Sequence, residues 1–95
     1  MTLIRVRTQG SHDAYTQKQA VINASEVTMY EESNRLWWAT EEHYNKDREK
    51  GKQTSKPCYD HAKTCTRVFL TSGQVIIVCQ SFDSFDRTFR SMTSR

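Results

Sequence analysis

Apolar and polar residues along this chain of 95 residues change period from segment to segment. Near the start, "LIRVR" (residues 3–7) alternates apolar with cationic positions, the two-residue period of a half-buried strand. "VTMYEE" (residues 27–32) reads as a second strand, after a short turn in which Asn23 and Glu26 have capping-box spacing. "TRVFLTSGQVIIVC" (residues 66–79) reads as two strands about a Ser72-Gly73 turn, Gly supplying the positive φ of a tight hairpin. A two-residue loop sets the expected register. Leu70 faces Val75, Val68 faces Ile77 and Thr66 faces Cys79 on one side, with Phe69 and Ile76, and Arg67 and Val78, on the other. That register puts Cys65 and Cys79 on opposite faces, and leaves both faces largely apolar.

After the hairpin the period lengthens to about 3.6 residues. Phe82, Phe85, Phe89 and Met92 form one stripe of a helix, the arrangement of a face packed on a sheet. Ser81 is placed to cap it, Asp83 lies in its first turn, and Asp83–Arg87 and Asp86–Arg90 are i,i+4 pairs. "NRLWWATEEHYNKDREK" (residues 34–50) is expected to form a further helix, ending in Lys46, Arg48 and Lys50 before a Gly51 C-cap, with Glu42–Lys46 as an i,i+4 pair. A competing reading makes "MYEE" and "RLWWA" two strands about Ser33-Asn34. "GKQTSKPCYDHAK" (residues 51–63) has the composition of a loop. The fold class expected is therefore α+β: a small antiparallel sheet with a C-terminal amphipathic helix, in one domain (residues 1–95), with residues 33–65 a helix-plus-loop insertion.

The order of apolar segments resembles a family. "LIRVRTQG", "AVINASEVTMYEE" and "TRVFLTSGQVIIVCQSFDSF" are similar to the small FlbD-like flagellar-operon proteins, and the last segment also resembles the hairpin of LytTR-type domains. The resemblance covers about half the chain and rests on hydrophobic and turn positions; residues 33–65 depart from it. It implies a small β-rich bacterial or phage domain, and brings no catalytic residues with it.

Composition narrows the class. Charged residues make up 26% and hydrophobic residues 36%, a balance that suits a folded domain better than a disordered tail. No apolar run reaches transmembrane length. Arg5 and Arg7 interrupt the first apolar run, unlike the core of a signal peptide, so a cytoplasmic location with three free thiols is expected. The net charge of +3 is mild. Lys46, Arg48, Lys50, Lys52 and Lys56 form its one basic run, interrupted by Asp47 and Glu49, and read either as a solvated helix end or as a nucleic-acid surface.

Candidate chemistry is sparse. Cys58, His61 and Cys65 have C-x2-H-x3-C spacing, one ligand short of a structural zinc site unless His43 or Cys79 completes it. Cys58 with His61 is also the one nucleophile–base candidate, without adjacent oxyanion-hole glycines. His12, His43 and His61 are otherwise scattered. The expectation is a non-enzymatic binding protein without a cofactor, docking on a protein partner, with nucleic-acid binding or a zinc-stabilised module as alternatives and a homodimer compatible with the two apolar hairpin faces. On a helix Trp37 would face the sheet, whereas Trp38, beside Glu41, Glu42 and Asn45, would point to solvent; Trp38, Glu41 and Glu42 are the expected partner contacts.

Overall fold

A computed structural model describes residues 2–10 and 14–94. Five strands form one antiparallel sheet: β1 (Leu3–Gln9), β2 (Gln17–Asn23), β3 (Val27–Trp37), β4 (Lys63–Leu70) and β5 (Val75–Val78). Their order is β2-β1-β5-β4-β3. Helix α1 (Glu41–Thr54) lies between β3 and β4, and helix α2 (Phe82–Thr93) ends the chain, so the expected α+β class holds. Among the described residues no helix is long and apolar enough to cross a membrane.

The core lies between the sheet and α2. Alternate residues of β1 (Ile4, Val6), Ile22 of β2, Val68 of β4 and Val78 of β5 meet Phe85 of α2, flanked by Tyr30, Leu70, Ile76 and Phe89. Phe85 is 1% exposed, and burying a side chain of that size contributes about 1.5–3 kcal/mol. Ser81 caps α2 and Asp86 pairs with Arg90 (2.9 Å), as the pattern of residues 81–92 predicts. Tyr30 ties β3 to the helix: its ring sits 5.0–5.8 Å from those of Phe82, Phe85 and Phe89, and its hydroxyl donates to Asp86 (2.6 Å).

Three expectations need correction. The hairpin loop has three residues, not two: the Leu70 amide donates to the Gln74 carbonyl (2.9 Å), the Gly73 amide donates to Leu70 (2.9 Å), and Gly73 has φ +90°. The register is consequently shifted by one, with Phe69 opposite Val75, Val68 opposite Ile76, Arg67 opposite Ile77 and Thr66 opposite Val78. Because side chains alternate, that single step brings Val68, Ile76 and Val78 together on the α2 face. Second, β2 exists although its inward positions, Ala20 and Ile22, offer too little apolar signal to announce a strand.

Third, residues 34–37 are strand, not helix. β3 runs unbroken through Ser33 and Asn34, with irregularities between Val27 and Met29 and between Ser33 and Leu36. The second frees the Ser33 hydroxyl to accept from the Arg35 amide (3.1 Å) and directs the strand end inward, where Leu36 O accepts from the Gln9 side chain (2.9 Å) and the Trp38 amide donates to Ala14 O (3.1 Å). The insertion thus begins after Trp37. Helix α1 starts at a Thr40 cap and continues past Gly51 to end at Ser55, whose φ is 58°. Gly51 serves a different need. A Cβ there would stand 3.0 Å from the Lys56 carbonyl, so its absence admits the returning loop.

Candidate functional site

Two surfaces compete for a function: the junction of α1 with the loop after it, and the sheet face opposite α2.

At the junction, Asp47 on α1 is 2% exposed. Its Oδ2 accepts from Trp38 Nε1 (2.8 Å) and the His61 amide (2.8 Å), and its Oδ1 lies 2.6 Å from His61 Nδ1 and 3.9 Å from Cys58 Sγ. Burial alone would raise this carboxyl group's pKa; the bonds from the His61 ring, Trp38 and the His61 amide outweigh it and hold the group at about 2. His43 stacks on His61 with ring centres 4.5 Å apart, and Tyr44 meets Trp38 edge-on at 5.1 Å. Asp60 is engaged by Lys50 (2.6 Å). Asp47 thus ties α1 to the loop through His61 and to the end of β3 through Trp38.

Trp38 therefore overturns its expected place. It is 8% exposed, lies before α1 rather than on it, and is the more buried of the two tryptophans; Trp37 is half-buried and donates to Thr64 O (3.2 Å). The solvent-facing anchor expected at Trp38 does not exist, while Glu41 and Glu42 are exposed in the first turn of α1.

The basic run is largely engaged with neighbouring anions. Lys46 pairs with Glu42 (3.1 Å), Lys50 with Asp60 and Lys52 with Glu49 (3.8 Å). Arg48, Lys52 and Lys56 line one cleft of about 400 Å³ with Trp38 and Tyr59, whereas Lys46 and Lys50 lie on another surface among Glu41, Glu42 and Glu49. The five cations are thus divided between two surfaces.

The zinc trio is also separated. Cys58 and His61 meet at Asp47, but Cys65 is fully buried in β4, opposite Ser33 of β3. Asp47, Cys58 and Asp60 do bring three ligand atoms within 4.8 Å of one another. Two are carboxylates, already bonded by Trp38, His61 and Lys50. In the Cys58–His61 pair, the Nδ1 ring nitrogen and the thiol both address Asp47. His12 lies outside the described residues.

The sequence offers an apolar hairpin face for docking but not the residues on it, because the shifted register decides what it contains. Met29 of β3, Phe69 of β4 and Val75 of β5 stand side by side across three strands, on the face away from α2. Met29 is 49% and Val75 45% exposed. The next row is Glu31, Arg67 and Ile77, with Arg67 bonded to Glu31 (2.9 Å). By strand alternation Leu3, Arg5 and Arg7 of β1 and Val21 of β2 lie on this same face, and Leu3 and Val21 are more than half exposed. Comparison of the chain with protein-family models, curated proteins and solved structures finds no match.

Proposed function

We propose that this protein is a small, non-enzymatic cytoplasmic regulator of bacterial or phage type that acts by docking the open face of its sheet on another protein. The observation that carries the reading is the row Met29–Phe69–Val75, exposed at Met29 and Val75 and half-buried at Phe69. Large apolar side chains aligned across three strands on an uncovered face are costly in water and mark interaction surfaces. Arg67, bonded to Glu31, borders the row, and Arg5 and Arg7 lie farther along the same face beside Cys79, which favours a partner with an apolar centre and acidic groups at that end. The pattern that resembles FlbD-like proteins agrees with a small β-rich bacterial or phage domain.

The test compares wild type with Val75→Asp as baits in extract of the native host. Val75 is exposed, so the variant should keep its melting temperature and lose a protein that wild type retains, with both baits monomeric by light scattering. Equal retention by the two baits, or a wild-type dimer that Val75→Asp dissolves, overturns the reading.

A further inference from the structure

We propose that Cys79 and Cys65 form an oxidisable dithiol, in which Cys79 attacks a hydroperoxide and Cys65 resolves the product to a cross-strand disulfide. The proposal is independent of the docking reading. Hairpin register carries it. With Leu70 opposite Gln74 and Thr66 opposite Val78, the next pair outward is Cys65 opposite Cys79. Hydrogen-bonded and non-hydrogen-bonded pairs alternate along an antiparallel ladder. Counting from the bonded Leu70–Gln74 pair makes Cys65–Cys79 a non-hydrogen-bonded one, and the Cys79 amide turns away to donate to Arg7 O of β1 (2.7 Å). Such pairs have Cα atoms about 4.5 Å apart, inside the roughly 4.4–6.8 Å span that a disulfide bridges.

The two thiols differ in their surroundings. Cys65 is fully buried, whereas Cys79, 8% exposed, lines a cleft of about 400 Å³ with Arg5, Arg7, Gln19 and Gln80. A hydrogen bond from the Cys65 thiol and the charge of Arg7 hold Cys79 below the usual thiol pKa, against its burial. The same contact, with burial, pushes Cys65 up. A thiol that lines a cleft beside two arginines, next to a fully enclosed one, is the arrangement that makes one cysteine react first.

The chemistry balances with a hydroperoxide as oxidant. The Cys79 thiolate attacks the terminal peroxide oxygen, the O–O bond breaks, and the leaving alkoxide or hydroxide takes a proton, giving a sulfenic acid and an alcohol or water. The Cys65 sulfur then attacks the Cys79 sulfur, its proton leaves with the hydroxyl as water, and the S–S bond forms. Two electrons pass from the dithiol to the peroxide; a thiol reductant restores the starting state.

The experiment treats the reduced full chain with stoichiometric hydrogen peroxide, alkylates what remains, and maps the peptides by mass. A mass lower by two hydrogens, a Cys65–Cys79 cross-linked peptide and an alkylated Cys58 are expected. In Cys65→Ser a dimedone-reactive sulfenic acid should accumulate on Cys79, and in Cys79→Ser the thiol of Cys65 should resist peroxide. Absence of the cross-link from oxidised wild type overturns the proposal, as does oxidation confined to Cys58, or Cys65 reacting in Cys79→Ser as fast as Cys79 does in wild type. The wild-type map decides alone if either variant fails to fold.

Discussion

Replacing Trp38 by alanine should release helix α1 from the sheet while the sheet and α2 stay folded. Trp38 is 8% exposed, bonded to Asp47 and packed edge-on against Tyr44, but it lies outside the cluster formed by Ile4, Val68, Val78 and Phe85. It fastens a satellite unit. An aromatic of this size buries roughly 150–250 Å², which at about 25 cal/mol per Å² gives about 4–6 kcal/mol. Direct truncations of buried Trp cost a similar 3–5 kcal/mol or so. A loss of about 4 kcal/mol changes the docked-to-released ratio of α1 by roughly a thousandfold. Nothing local compensates, since α1 has 14 residues, Asp47 as its one buried side chain, and the length at which isolated helices are marginal in water. Because α1 supplies 14 helical residues and α2 12, far-UV circular dichroism should lose slightly more than half of its α-helical signal. Hydrogen exchange should show α1 amides unprotected and β4 amides still protected. Full wild-type protection of α1 in Trp38→Ala would refute the argument, and so would simultaneous loss of protection in β4.

Gly73→Ala should lower stability by about 1–2 kcal/mol, the cost of holding an L-residue in the left-handed region, because φ there is +90° and no neighbouring atom lies within 4 Å of an added Cβ. A urea midpoint equal to wild type would contradict the left-handed backbone at Gly73. Stability should also depend on acid through Asp47, whose pKa lies at about 2 in the fold against an ordinary 3.8. A group depressed in this way stabilises fully above its unfolded value, and that contribution disappears as pH falls from 3.8 through about 2. Thermal melts across that window should fall less steeply for Asp47→Asn than for wild type, the residual slope coming from Glu42, Asp60 and Asp86, which Lys46, Lys50 and Tyr30 respectively hold low; identical slopes would remove Asp47 from the account.

Local periodicity was sufficient for part of this protein. The stripe Phe82–Phe85–Phe89, the Ser81 cap and the Asp86–Arg90 pair are relations within three to five residues on one helix, so the sequence determines them without reference to the rest of the chain. It also determines that residues 66–79 make a hairpin, but not its register: Ser72-Gly73 suits a two-residue loop and the end of a three-residue loop equally, and only pairing with β1 and the demands of the α2 face choose between them. That choice moves Cys79 opposite Cys65 and places Phe69 beside Met29 and Val75, so both proposals rest on a quantity absent from local pattern. Residues 34–38 show the same limit. Their apolar run fits strand or helix alike, and pairing with β4 resolves it, carrying Trp38 from an expected wet face into a buried bond with Asp47. Asp47 itself sits among charged neighbours and looks solvated in the sequence; its burial is decided by the return of residues 55–62 over Gly51, a contact between segments whose meeting depends on where the strands on either side are anchored.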